Sequence, residues 1–209
     1  MITPTFTAVV LSGYLVLFFG VHVYMDVRMF RSRKLQKSVP VHDEFIISLP
    51  AKILAFIPSV IFWITFFVSP FLFFFDVYKD AFAPVLLHSP YENFLQGAGF
   101  ILVLAGIILA DWGRVSRGVV APSGPMPQNY RITTRGAYRI VRHPMYVSYS
   151  LFFVGFPLIL LNVVLFLCCM GIPGYYMIAK EEEKVLIRRF GKEYTEYQEK
   201  VGMFIPKGW

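Results

Sequence analysis

Residues 61–75 read IFWITFFVSPFLFFF, a stretch with no charge and dominated by phenylalanine. The apolar run reaches back to Ile53, and 53–75 is long enough to cross a bilayer, which takes about 20 helical residues with about 17 as the lower limit. In hydrocarbon every backbone N–H and C=O must be paired within the protein, so such a segment takes helical form. Working outward, further apolar segments stand at 5–24, 93–112, 144–161 and 163–179. The fold class that follows is all-α: a polytopic membrane protein with five transmembrane helices, residues 1–209 forming a single membrane domain. The last two spans share only Asn162 as a turn and are expected to form a tight hairpin. Pro157 in the fourth and the Pro173 and Gly174 pair in the fifth are expected to kink it, because proline cannot donate to the carbonyl one turn back.

Composition points the same way. Of 209 residues 56% are hydrophobic and only 16% charged, against about 25% charged in soluble domains, and the mean hydropathy is +0.59. Twenty-two Phe and twelve Tyr exceed what a small soluble core takes up. The net charge of +7 does not call for nucleic acid as a partner; in a membrane protein basic residues gather in cytoplasmic loops. Arg28, Arg31, Arg33, Lys34 and Lys37 follow the first span, and only Lys79 lies in the second loop. Arg114, Arg117, Arg131, Arg135, Arg139 and Arg142 fill the third, and seven basic residues follow Ala179. That alternation places the N-terminus outside and the C-terminus in the cytoplasm, as five spans require. The N-terminal MITPTFTAVV lacks a basic leader and a small-residue cleavage site and is not expected to be a removable signal. By size alone the membrane expected is a prokaryotic plasma membrane, or the endoplasmic reticulum in a eukaryote; the oligomeric state is left open. Membrane lipids are the partners common to both.

After Lys180 comes a different pattern. Leu186, Phe190, Tyr194, Tyr197 and Val201 recur at helical spacing, which predicts an amphipathic interfacial helix interrupted at Gly191. The segment APSGPMPQN has turn chemistry and reads as a lid. GAGF at 97–100 sits within a span with no strand before it, so it is read as a helix-packing site, not a nucleotide loop. Cys168 and Cys169 read as packing residues, and the scattered histidines show no metal spacing. Asp111 and Trp112 end the third span as ordinary interfacial residues.

Two charged motifs remain, RHPMY at 142–146 and AKEEEKVL at 179–186. With five spans both fall at the cytoplasmic lip of one hairpin. Ionisable groups that face each other at membrane helix ends tend to be functional, although charges there also serve as plain anchors.

The stretch GAYRIVRHPMYVSYSLFFVGFPLILLN, followed by EEEKVLIRRFGKEYTEYQEKVGMFIPK, resembles the isoprenylcysteine carboxyl methyltransferase family. More broadly, it resembles the membrane methyltransferases that include phospholipid N-methyltransferases. The likeness covers about residues 130–206. It implies S-adenosyl-L-methionine as cofactor, bound at the cytoplasmic surface between hairpin and tail helix. It also implies a lipophilic small-molecule or lipidated substrate as the methyl acceptor. Cofactor contacts implied are His143, Pro144, Met145, Tyr146, Glu182 and Glu183, with Arg142 and Glu183 as the catalytic pair. The family's paired acids match Glu182 and Glu183, leaving Glu181 a solvated neighbour. Carboxyl methyltransferases carry an arginine shortly before the acidic run; Ile178 stands at the matching position, so Arg142, Lys180 and Arg189 are the candidate substrate contacts. This leaves the acceptor open among a prenylcysteine carboxylate, a thiol, an amine headgroup and a quinone-like hydroxyl. The alternatives are a sterol-reductase-like enzyme using NADPH, against which Tyr194 stands where a tryptophan is expected, and a non-catalytic lipid-binding protein.

Overall fold

The computed structural model describes residues 1–33, 47–118 and 131–207, and these are helical, with no strand among them. Seven α-helices follow in order: α1 (Pro4–Arg33), α2 (Leu49–Phe74), α3 (Tyr78–Phe82), α4 (Glu92–Arg117), α5 (Pro144–Leu160), α6 (Gly171–Phe190) and α7 (Lys192–Lys200). The expected lid at APSGPMPQN and the basic residues Lys34 and Lys37 lie outside the described residues.

Among the described residues four stretches are long and apolar enough to cross a membrane: Pro4–Arg31, Leu49–Phe74, Glu92–Arg117 and Val164–Phe190. α5 is a shorter apolar helix; its 17 residues rise about 26 Å, just under a hydrocarbon core of about 30 Å. Phe74 and Phe94 are 70% and 74% exposed while Gln96 is fully buried. That inversion fits a surface facing lipid, and the chain is an integral membrane protein.

Two of the prolines inside the helices, Pro70 and Pro157, have their consequence answered locally. Pro70 leaves the carbonyl of Phe66 without an amide donor, and Ser69 Oγ donates to that carbonyl at 3.4 Å. Pro157 likewise frees the carbonyl of Phe153, which accepts from the Cys169 thiol at 3.3 Å. The hairpin break differs from expectation. Residues Val164–Met170 form a 3-10 segment, and Pro173 falls in the first turn of α6, where an amide hydrogen has no helical partner to lose. The left-handed residue at the turn is Leu161, φ 50°, while Asn162 Oδ1 accepts from the amides of Val164 and Leu165 at 3.1 and 3.3 Å. Gly174 serves packing: a Cβ there would lie 2.5 Å from the amide of Ala55 on α2.

The core is aromatic. Phe62 of α2 stacks on Phe152 of α5 at 5.1 Å, and Phe156 meets Phe62 and Phe66 edge-on at 5.3 Å. α4 and α5 approach backbone to backbone, since a Cβ on Gly99 would sit 2.6 Å from the carbonyl of Gly155. Of the two glycines in GAGF only Gly99 is needed for this; Gly97 has open space. Tyr78 Oη, buried, donates to the carbonyl of Leu160 at 2.8 Å and fastens the far end of α5.

α6 does not end where the apolar run ends. It continues through Glu181, Glu182 and Glu183 to Phe190, so the acids occupy the middle of a helix and not the start of a new one. Gly191, φ 54°, breaks the chain into α7.

Candidate functional site

The approach to α5 is fixed by the tail. The amides of Arg142 and His143 donate to the carbonyls of Gly202 and Met203 at 2.9 and 3.2 Å, and Val141 forms a parallel bridge with Gly202. These bonds hold the chain extended up to His143, whose own carbonyl then accepts from the amides of Tyr146 and Val147. Pro144 is the first residue of α5, where its missing N–H costs nothing and its φ suits a helix. Pro144 and Met145 pack against Gly113 of α4.

α6 brings the acids to the same place. Tyr175, Ala179 and Glu182 are spaced i, i+4, i+7 and form one stripe toward α5. Arg142 then meets Glu183 through a two-pronged contact, Nε to Oε1 at 2.6 Å and Nη2 to Oε2 at 3.1 Å, 41 residues apart in sequence. Both side chains are under a tenth exposed. The remaining valences are filled: Arg142 Nη1 donates to the carbonyls of Gln198 and Val201, and Gln198 Nε2 donates to Glu183 Oε2 at 2.7 Å. A buried ion pair persists only with such complete pairing. Hairpin, α7 and tail are locked together here.

His143 and Tyr146 lie beside this pair. His143 Nε2 is 3.1 Å from Glu183 Oε1 and Nδ1 is 3.5 Å from Glu182 Oε2. Burial, the largest single influence, disfavours the imidazolium, but hydrogen bonds and charge from Glu182 and Glu183 outweigh it and raise the His143 pKa above the ordinary 6.5. Tyr146 Oη donates to Glu182 Oε1 at 2.6 Å. The two rings are within 5° of parallel at 5.5 Å, and Phe204 of the tail lies across both at 6.2 and 6.4 Å. Glu182 keeps a third of its side chain exposed. The stack continues into the bundle from Tyr146 to Tyr175 and from Tyr175 to Tyr149, each step 4.9 Å.

Arg142, His143, Tyr146, Glu182 and Glu183 thus meet. Lys180 does not join them: it is exposed, with its ammonium 4.8 Å above the Tyr176 ring. Arg189 lies over Phe190 at 5.6 Å. Glu181 pairs with Lys184 at 2.7 Å at the surface. Sequence reasoning missed Gln198, Tyr175 and Phe204. Gln198 was detectable, four residues after buried Tyr194 on the same helix face; Phe204 had no signal, because its position depends on the tail's bonds to residues 142 and 143.

The likeness to known proteins covers the same part of the chain. A family profile described as phospholipid methyltransferase matches residues 95–193. A methanethiol S-methyltransferase of Pseudomonas deceptionensis is 36% identical over 117 residues, covering 54% of this chain and 43% of that protein. A protein-S-isoprenylcysteine O-methyltransferase of Tribolium castaneum is 39% identical over 83 residues, covering 36% of this chain and 27% of that one. The aligned stretches thus span less than half of these relatives. The solved structure of a eukaryotic intramembrane Ras methyltransferase, isoprenylcysteine carboxyl methyltransferase, matches 99% of this chain and 68% of its own. Its TM-score is 0.54 at 21% identity, a likeness of fold. The fold is that of a helical membrane protein. Over residues 95–193 the chain is thus similar to the phospholipid methyltransferases, and the relatives it matches include methanethiol S-methyltransferases and protein-S-isoprenylcysteine O-methyltransferases.

Proposed function

We propose that the chain is a methyltransferase that uses S-adenosyl-L-methionine to methylate a lipophilic acceptor drawn from the bilayer. One observation carries the reading: two motifs distant in sequence converge on a partly open carboxylate, Glu182, beside the parallel rings of His143 and Tyr146. The donor set suits the cofactor. Parallel rings with Phe204 across them offer an adenine an apolar slab, and Glu182 is a ready acceptor for an ammonium or ribose hydroxyls. Bound there, the cofactor supplies a methyl carbon already activated by a sulfonium. The residues around it then position more than they react. Arg142 and Glu183 are assigned the task of holding the tail against the hairpin, since the guanidinium fork is occupied by Glu183 and by the carbonyls of Gln198 and Val201. Pro144 and Met145 seat the start of α5 on α4.

The site lies at the basic end of the helices. With α5 counted as a crossing, five spans put that end, and the C-terminus, in the cytoplasm, where the soluble cofactor arrives while the acceptor comes from the side. The named relatives are methyltransferases, which leaves the NADPH-dependent reductase without support. Isothermal titration of the detergent-solubilised protein with S-adenosylhomocysteine tests the reading; a folded sample that takes up none overturns it. Labelled donor with a membrane lipid extract, followed by mass spectrometry of the product, names the acceptor.

A further inference from the structure

The face that α4 turns toward α5 ends in a cation. Gly99, Gly106 and Gly113 stand two turns apart and let α5 close in: a Cβ on them would meet, in turn, the carbonyl of Gly155, the ring of Phe152 and the ring of Pro144. Pro144 is the first residue of α5, so beyond Gly113 no further turn of α5 faces α4. Arg117, four residues on, closes α4 on the same side. Its charge bears on the Tyr146 hydroxyl, and that hydroxyl donates to Glu182 Oε1 at 2.6 Å. The Arg117 side chain is partly buried.

The neighbouring residues of this last turn are used differently. A cation there suits the helix dipole at 114 as well as at 117. Arg114, however, is buried against α1, where it pairs with Asp26 at 2.7 Å and donates to the carbonyl of Gly118 at 3.0 Å. His22 and Asp111, at 3.2 Å, form the next rung of that crossing. Ser116 turns to a third side and accepts from the amide of Ala137 at 3.3 Å. The end of α4 thus fastens α1 through Arg114 and the 136–139 segment through Ser116, which leaves Arg117 on the side of the site.

The amino-acid end of S-adenosyl-L-methionine carries an ammonium and a carboxylate on one carbon, so a site for it sets an acid and a cation side by side. Glu182 is the acid, with a third of its side chain exposed. Glu183 is already balanced by Arg142, whose guanidinium is filled by that carboxylate and by the carbonyls of Gln198 and Val201. Lys180 stands outside over Tyr176, and Lys184 is paired with Glu181. We propose that Arg117 receives the carboxylate of S-adenosyl-L-methionine while Glu182 takes its ammonium. This rests on the methyltransferase reading above and names the partner of one charged group of the cofactor. The Tyr146 hydroxyl, bonded to Glu182 and within the field of Arg117, makes the two neighbours. A guanidinium meets a carboxylate with two parallel N–H donors, which a lysine cannot supply.

Isothermal titration of the detergent-solubilised protein tests this with two ligands: S-adenosylhomocysteine and its decarboxylated form, in which hydrogen replaces the carboxylate and the ammonium stays. The wild type should bind S-adenosylhomocysteine about ten- to a hundredfold more tightly than the decarboxylated ligand, the usual worth of hydrogen bonds to a charged group. Arg117→Gln should bind the two alike, with the whole loss falling on S-adenosylhomocysteine. Arg117→Lys should keep a preference smaller than that of the wild type. Glu182→Ala should weaken both ligands together, because both retain the ammonium. A wild type indifferent to the carboxylate, or an Arg117→Gln variant that keeps the wild-type preference, overturns the inference. So does an equal loss for both ligands in Arg117→Gln, the mark of a structural role. Should Arg117→Gln not fold, Arg117→Lys decides, and an undiminished preference there overturns the inference as well. A wild type that binds neither ligand sinks the methyltransferase reading itself, a failure told apart from this one because it needs no variant.

Discussion

Two charged clusters among the described residues are built from similar side chains and are left in opposite states. Around Arg142 and Glu183 the donors and acceptors are matched, with Gln198 and the carbonyl of Val201 closing the last positions. Around His22 and Asp111 a ring nitrogen is buried with no partner among the described residues. A saturated cluster has little to offer a ligand and much to offer the fold, because removing one member strands a buried charge. An unsaturated one costs the fold about 1–3 kcal/mol for each stranded polar atom. Between them stands Glu182, attached at one end and open at the other.

The sharpest way to break the contrast is at Glu183. Glu183→Ala leaves the Arg142 guanidinium buried beside backbone carbonyls, so the expected loss is about 3–5 kcal/mol, read as a collapse of the melting temperature in detergent. Glu183→Gln should recover part of it by keeping a hydrogen-bond acceptor. Tail release should accompany the alanine variant, visible as faster hydrogen exchange at residues 201–204. A melting temperature within a degree or so of wild type would mean the pair is not a clamp.

Glu182→Ala should behave differently. Its carboxylate is partly solvated, so the fold loses little beyond the Tyr146 bond, while affinity for S-adenosylhomocysteine should fall about tenfold or more, the loss of one charge-assisted hydrogen bond of roughly 1.5–3 kcal/mol. Calorimetry on the two variants side by side sharpens the distinction. Equal effects on binding per degree of melting lost would erase it.

How much of this the sequence carried depends on the kind of contact. Residues 61–75 announced a membrane helix because hydrocarbon imposes one solution on an apolar run, and residues 142–146 with 181–183 announced a shared site because the hairpin leaves their ends adjacent. Where α6 stops was not legible: the acids look like a boundary in hydropathy, yet Glu182 and Glu183 have partners on α5 and α7 that let the helix run on. The tail was not legible either, since Phe204 is placed by backbone bonds that no side-chain pattern records. The His22–Asp111 rung was out of reach for the same reason, being a crossing of two helices 89 positions apart from residue 22 to residue 111.

His143 offers a graded test. Its pKa is raised in the folded protein by Glu182 and Glu183, so the stabilisation it brings is complete below the unfolded value near 6.5 and fades as pH rises through the higher folded value. The melting difference between wild type and His143→Gln should therefore be widest at about pH 5.5–6 and shrink toward alkaline pH. A difference that grew with pH would mean the ring is held neutral and that Glu183 is balanced by Arg142 alone.

The smallest expected effect lies outside both clusters, at the joint between α6 and α7. Gly191 has φ 54° and ψ −123°, backbone that a side chain adopts only with strain, and a Cβ there meets nothing within 4 Å. Gly191→Ala therefore tests conformation free of clashes, and the expected cost is about 1 kcal/mol or somewhat more. Because Tyr194 and Tyr197 of α7 pack with Leu186 and Phe190 of α6 across this joint, a shifted joint would move Gln198 away from Glu183. The melting temperature should drop by a few degrees and S-adenosylhomocysteine binding by a factor of a few. Loss of binding as large as that of Glu182→Ala would show that the tail's angle, and not the open carboxylate, governs the site.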